Sequence, residues 1–181
     1  AVITAVIQSS SITTVLTVGF VSAGLLSFYK TLGIILGANI GTTITAQIIA
    51  FKVTEASLVL VAVGYLVNAL SQSQKRKDYG TIFIGLGLVF LGMELMGQAT
   101  MPLRSYQPFI DSMARLSHPA YGILLGAAFT ALVQSSSATT GVVIVLASQG
   151  LISLEASIAM VIGANIGTCV TAVLAAIGKP R

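Results

Sequence analysis

The chain has 181 residues, 55% of them hydrophobic and only 8% charged, and its nine basic and five acidic side chains give a formal charge of +4. Soluble domains carry about a quarter charged residues, so these few charges cannot cover a soluble surface. The basic excess sits in loop residues, Lys75, Arg76 and Lys77 foremost, where it orients a chain in a membrane and offers no nucleic-acid surface.

The chain opens at Ala1 within an apolar run, with no initiator Met, basic leader or cleavage pattern, and so reads as a fragment of a longer protein. The run is broken by Gln8-Ser9-Ser10-Ser11-Ile12-Thr13-Thr14. Thr31–Phe51, Ala56–Leu70, Tyr79–Gln98 and, near the end, Ala156–Ile177 are each about 15–22 nearly uninterrupted apolar or small residues. About 20 such residues cross a bilayer as helix, and the short alternating segments of a membrane β-barrel are missing. Met101–Ser117 holds Pro102, Arg104, Pro108, Asp111 and Arg115 and is followed by His118-Pro119. It is too polar to span and reads as an extracytoplasmic loop or interfacial helix. The single Cys169 rules out an internal disulfide.

Two patterns recur. Gln8–Thr14 returns as Gln134-Ser135-Ser136-Ser137-Ala138-Thr139-Thr140, and Gly37-Ala38-Asn39-Ile40-Gly41-Thr42 returns as Gly163-Ala164-Asn165-Ile166-Gly167-Thr168, both displaced by 126 residues. Residues 1–52 laid without gaps on 127–178 agree at about 22 of 52 positions, among them Gly24/Gly150, Ser27/Ser153 and Thr45/Thr171. Chance likeness between apolar helices would match aliphatic residues; here the polar ones match and the aliphatic ones drift. Duplicated membrane units with a site at their interface are the usual build of secondary transporters. The chain therefore divides into a first motif unit (1–52), two further helices (53–100), a linker (101–119) and a second motif unit (120–181).

About 14 residues precede the second QSSS run and about 11 follow it, and neither stretch reaches across roughly 30 Å of hydrocarbon. A re-entrant helical hairpin fits better than two spans, and the first hairpin, with seven residues before Gln8, is expected to lack part of its first arm. Three helices then lie between equivalent points of the two copies, and an odd number of crossings inverts the second copy. With Lys75–Lys77 inside, Lys30, Lys179 and Arg181 fall on the same side, whereas Arg104 and Arg115 fall outside against the trend. The expected fold is all-α and membrane-embedded, with two inverted-topology repeats, each a QSSS hairpin and an interrupted GANIGT helix.

Successive hydrogen-bonding side chains inside a lipid-compatible sequence cost several kcal/mol unless something binds them. Serine is a good helix N-cap, so a hairpin tip at Ser10-Ser11 or Ser136-Ser137 would open a half-helix there. Its free amides and positive dipole end then make an anion site without a basic residue. Ordinary helix packing also uses Ser and Thr, but a duplicated seven-residue pattern favours a site. The GANIGT glycines are expected to loosen the helix and expose carbonyls. Together with Asn39, Thr42, Asn165 and Thr168 these supply neutral oxygens suited to a dehydrated monovalent cation. Gly-x-x-x-Gly is itself a close-packing signal; the adjacent Asn and the duplication tip the reading toward a site.

Glu94 lies toward the end of an apolar helix and suits an interfacial or helix-paired role as well as a relay. His118 has no neighbouring His or Cys for a metal. No Walker-type phosphate loop and no nucleophile–base–acid set is visible, so the chain is not read as an enzyme. Gly85, Gly87 and Gly92 on one helix suit packing within the bundle or a homodimer contact.

The paired QSSSITT/QSSSATT and GANIGTT/GANIGTC signatures resemble the type II sodium–phosphate cotransporter family in bacterial form, over essentially the whole chain. The resemblance implies uptake of inorganic phosphate with sodium across the bacterial cytoplasmic membrane, by alternating access in a multi-pass protein without a further cofactor. It implies that Ser9, Ser10, Ser11, Ser135, Ser136 and Ser137 bind phosphate. Gln8, Thr13, Thr14, Asn39, Thr42, Thr43, Gln134, Thr139, Thr140, Asn165 and Thr168 would serve sodium. Cys169 stands where the first copy has Thr43, which predicts an asymmetric cation site. Transport or export of phosphate or another oxyanion without sodium is the alternative within transport; a phosphate-binding membrane sensor is the alternative of another class.

Overall fold

A computed structural model of the chain describes residues 1–50, 56–115 and 118–177, and these are helical throughout their regular structure. In chain order the helices are α1 (Val2–Ile7), α2 (Ser10–Ser22), α3 (Phe28–Ala50), α4 (Ser57–Leu70), α5 (Gln74–Thr100), α6 (Gln107–Arg115), α7 (Pro119–Val133), α8 (Ser136–Ser148), α9 (Leu154–Gly167) and α10 (Cys169–Ala176), with a 3-10 turn at Met101–Ser105 before α6. Three stretches are long and apolar enough to cross a membrane: Phe28–Ile48, Gln74–Ser105 and Leu154–Ala176. The expected span Ala56–Leu70 forms α4, whose 14 residues fall short of the about 20 that cross unaided. Phe51, Lys179 and Arg181 lie outside the described residues.

The distribution of polarity is that of a chain solvated by lipid. Thr130 and Thr139 are 0% exposed while Leu132 is 84% exposed, and Thr4 and Ser57 are buried while Tyr29 and Leu70 face outward. Buried polar groups must be paired, and no buried side-chain nitrogen or oxygen among the described residues lacks a partner. Aliphatic side chains on the outside cost nothing where the solvent is hydrocarbon.

Both QSSS runs are helix–break–helix units built alike. Gln8 and Gln134 take left-handed backbone, both at φ 58°, and among the described residues they are the only non-glycines that do. Ser9 and Ser135 follow in extended conformation as N-caps of α2 and α8. Across the break the Thr4 and Thr13 hydroxyls are 3.0 Å apart, and the Thr130 and Thr139 hydroxyls 2.7 Å. Nine residues of continuous helix would put such a pair about 13 Å apart, so the chain turns back on itself at each glutamine. Each unit ends in a left-handed glycine, Gly24 (φ 72°) and Gly150 (φ 70°), whose missing Cβ lets the helix stop and the chain turn into the motif helix.

The first GANIGT helix corrects the expectation of an interruption, whereas the second keeps a break at the last residue of its motif. α3 runs unbroken through Gly37–Thr42 as 23 residues of α-helix, and the second copy yields only at Thr168, between α9 and α10. The glycines serve close packing. A Cβ on Gly41 would lie 2.5 Å from the Ala1 carbonyl oxygen and 2.8 Å from Thr4 Cβ, and one on Gly167 would lie 2.5 Å from the Ala127 oxygen and 2.7 Å from Thr130 Cβ. A Cβ on Gly163 would come within 2.1 Å of the Ile123 oxygen. Backbone can approach backbone this closely only where the side chain is absent, so α1 lies on α3 and α7 on α9.

α4 and α5 pair by the same device. A Cβ at Gly64 would meet the Gly80 oxygen at 2.7 Å, and one at Gly87 would meet Val61 Cγ2 at 2.7 Å. Gly87 is thus a packing position, whereas Gly85 and Gly92 face open space. The two motif units exchange arms: α8 packs on α3 of the first unit and α2 on α10 of the second. An apolar cluster of Val143, Ile152, Ala156 and Met160 joins α8 to α9, with Met113 of α6 set against it.

Candidate functional site

The exchange of arms brings the duplicated motifs together. Asn39, Thr42 and Thr43 of α3, Ser136, Ser137 and Thr140 of α8, and Asn165 of α9 line one cavity of about 70 Å³, closed by Ala46 and Val161. Asn39 and Asn165 are equivalent positions of the two copies, so the cavity sits where the repeats meet. No carboxylate, ammonium or guanidinium lines it.

Local sequence explains the orientation of these groups. Ser135 takes the cap position and its hydroxyl accepts from the Ala138 amide at 3.2 Å, which fixes the start of α8 with Ser136 and Ser137 as its first residues. Amides at these positions have no acceptor within their own helix, and they carry the positive end of the helix dipole. Ser136 is buried and Ser137 half-buried. In α3 the Thr42 hydroxyl donates to the Asn39 carbonyl at 2.8 Å and Thr43 to Ile40 at 2.7 Å. With their protons so engaged, these hydroxyl oxygens are free to act as acceptors.

The remaining expected site residues build the tips. The Gln134 side-chain amide donates to the Ala131 carbonyl, and its oxygen accepts from the Thr171 hydroxyl at 2.7 Å. Gln8 repeats this with Ala5 and Thr45. Each glutamine therefore ties the bend to its own motif helix, which offsets the roughly 1–3 kcal/mol that a left-handed non-glycine residue costs. Thr13 and Thr139 close the arms of the bend through Thr4 and Thr130. Thr14 donates back to the Ser10 carbonyl at 2.8 Å and Thr168 to the Asn165 carbonyl at 2.6 Å. Ser9 caps α2, its hydroxyl accepting from the Ile12 amide at 3.3 Å. Ser10 is buried and Ser11 half-buried at the equivalent first turn.

Thr45 and Thr171 stood in the sequence only as matched positions of the repeat, and Thr4 and Thr130 were not singled out. The signal was there, because all four are identical across the 126-residue offset. Their partners lie nine and 37 positions away, beyond the spacing that a single helix face reveals.

His118 caps α7, its Nδ1 accepting from the Ala120 amide at 3.3 Å. Among the described residues no three His, Cys, Asp or Glu side chains gather as a metal site. What the cavity offers is a neutral shell of hydroxyl and carboxamide groups, with donors at the α8 tip and oxygens from α3 and α9. Pockets for organic ligands run to about 300–1,000 Å³, so this one suits a small ion or oxyanion.

The Na+/Pi-cotransporter family model matches residues 1–98 and 106–179. The chain belongs to that family. It is 37% identical over 177 residues to the uncharacterized protein YqeW of Bacillus subtilis (strain 168), covering 97% of this chain and 57% of YqeW. It is 33% identical over 173 residues to YjbB of Escherichia coli (strain K12), a protein whose name assigns it provisionally to inorganic phosphate export, covering 95% of this chain and 32% of YjbB. A segment of 69 residues, 38% of the chain and 10% of the relative, is 38% identical to sodium-dependent phosphate transport protein 2B of Homo sapiens. The chain thus spans about half of YqeW and a third of YjbB. No solved structure matches it. The family model is described as that of a Na+/Pi-cotransporter, and two of these relatives are described in terms of phosphate export or sodium-dependent phosphate transport.

Proposed function

We propose that the chain is the transport core of a sodium-coupled symporter that carries inorganic phosphate across the bacterial cytoplasmic membrane by alternating access. The observation that carries this reading is the cavity in which residues of both GANIGT motifs meet the second QSSS tip. The two helix–break–helix units are read as re-entrant hairpins entering from opposite faces, with α3, α4 and α5 as the odd number of crossings that inverts the second copy. The arm exchange of α8 onto α3 and α2 onto α10 is what a two-fold relation between the copies produces.

In this mechanism the first-turn amides and hydroxyls of Ser136 and Ser137 donate to phosphate oxygens, which helix N-termini bind without a formal cation. Asn39, Thr42, Thr43, Thr140 and Asn165 turn oxygens toward sodium. Ser9, Ser10, Ser11 and Ser135, with Gln8, Thr13, Thr14, Gln134, Thr139 and Thr168, shape the tips and meet the ions as the units move. A phosphate anion alone in a neutral site is poorly compensated. A sodium ion 4 Å away is worth about 4 kcal/mol at an effective dielectric of 20, roughly a thousandfold in affinity. Coupling follows, because neither ion is stable in the site without the other.

The name of YjbB favours export as a second reading, which needs no sodium coupling when phosphate moves down its own gradient. Proteoliposomes carrying the full-length protein separate the two. Labelled phosphate should accumulate with an inward sodium gradient, stop when potassium replaces sodium, and fail in Ser136→Ala. Equal flux in both salts would overturn the symport reading in favour of export, and tight phosphate binding without flux would point to a sensor.

A further inference from the structure

A second cavity, of about 590 Å³, lies at the other end of α8, between the α8–α9 turn, the 3-10 turn and α6. The 13 residues of α8 place it roughly 20 Å from the Ser136 tip. Its walls are Phe109, Ile110, Met113, Leu151 and Ile152, and its one charged lining residue is Arg104. The Arg104 guanidinium is held by the neutral side-chain oxygen of Gln149, and no carboxylate lines the cavity. Asp111 of α6, the nearest acid in sequence, accepts instead from Gln107 at 2.9 Å.

We propose that this cavity binds an anionic membrane phospholipid, with its phosphate on Arg104 and the upper part of an acyl chain along Phe109, Ile110 and Met113. Three observations select that occupant. A guanidinium presents a planar fork of donors matched to phosphate oxygens, and Gln149 engages only one nitrogen. A single cation against five apolar walls in so large a space suits an amphiphile and not free phosphate, for which the 70 Å³ polar cavity is the better match. The amphipathicity of α6 also fits: it sets Phe109, Ile110 and Met113 on one side and Gln107, Asp111 and Ser112 on the other, the pattern of helices that lie at the headgroup level.

Charge placement adds a fourth argument. α5 has 27 residues and is about 40 Å long, so Arg104 beyond its C-terminus is at the opposite face from Lys75–Lys77. On a face where the positive-inside rule expects few cations, an arginine with no acidic residue lining its cavity is compensated by a lipid phosphate. Residues 99–105 fall between the two segments matched by the family model, and Gln149 stands where the first copy has Ala23. The site lies apart from the cavity on which the transport reading rests and is independent of that reading.

Native mass spectrometry of the purified full chain tests this, with titration of phosphatidylglycerol, phosphatidylcholine or inorganic phosphate. One phosphatidylglycerol should be retained per chain, bound about tenfold more weakly in Arg104→Gln and less weakened in Arg104→Lys, which keeps the charge and loses the fork. Ile110→Asp, at the apolar wall, should weaken it as well. Phosphatidylcholine, whose headgroup is already neutralised, should bind the wild type no better than phosphatidylglycerol binds Arg104→Gln. Equal retention of the two lipids, or no change in Arg104→Gln, overturns the proposal. Displacement of the lipid by millimolar inorganic phosphate, dependent on Arg104, would reassign the cavity to the free anion.

Discussion

The two motif units share the hydrogen bonds that build their bends and differ where they meet the central cavity. Gln8 and Gln134 take the same left-handed backbone, Thr45 and Thr171 hold them alike, and Gly41 and Gly167 meet equivalent atoms of the preceding arm. Yet the first motif helix is continuous, the second yields at Thr168, and Thr43 faces the cavity from a position that Cys169 occupies in the second copy. Duplication has fixed the scaffold of each unit. The chemistry at the junction is free to become asymmetric because each copy contributes a different subset of its motif to the same space.

The largest expected effect breaks the shared scaffold. Gly163→Val or Gly41→Val places a Cβ within 2.1 or 2.5 Å of a facing carbonyl oxygen, and overpacking of this kind costs about 3 kcal/mol. Detergent-solubilised variants should lose the monodisperse folded peak on size exclusion. Gly85→Val, with nothing within 4 Å, should run as the wild type does. Were all three to behave alike, the close packing assigned to the motif glycines would be wrong.

A smaller effect reads the asymmetry directly. Ser136 lines the cavity, and a hydrogen bond to an anion contributes about 1.5–3 kcal/mol, so Ser136→Ala should weaken equilibrium phosphate binding by roughly ten- to a hundredfold. Ser10→Ala, outside this cavity, should change it by less than about threefold. Equal losses would mean that both tips hold phosphate at once.

Next come the latches. A double-mutant cycle on Gln134→Ala and Thr171→Ala should give a coupling of about 1 kcal/mol in thermal unfolding, and Gln8→Ala with Thr45→Ala should give a similar value. Additive behaviour in either pair would remove that hydrogen bond from the scaffold. Smallest of all, Thr43→Cys should raise the sodium concentration for half-maximal uptake by about threefold, the loss of one weak neutral ligand. Cys169→Thr, outside the cavity lining, should leave it nearly unchanged. A reversed order would show that sodium sits on the second copy's side.

The alternation of apolar stretches with polar punctuation was enough to locate the helices, because lipid leaves the backbone few options besides helix. α3, α5 and the α9–α10 pair fall on the expected segments. The 126-residue repeat was equally legible, since polar residues kept in two lipid-facing contexts have few explanations besides a shared role. In the first copy the glycine motif makes a continuous, closely packed helix where an interruption is expected, because Gly-x-x-x-Gly has one spelling for two uses. Which of them applies depends on whether another backbone lies within reach.

By itself, then, the sequence determined the class, the duplication and the residue types available for binding. Tertiary structure decided which of those residues share a space. Ser136, Ser137 and Thr140 meet Asn39, Thr42 and Thr43 because α8 crosses to the other unit. Periodicity records which face of a helix is turned inward; it does not record which helix that face will meet, and here the meeting is between copies separated by three intervening helices.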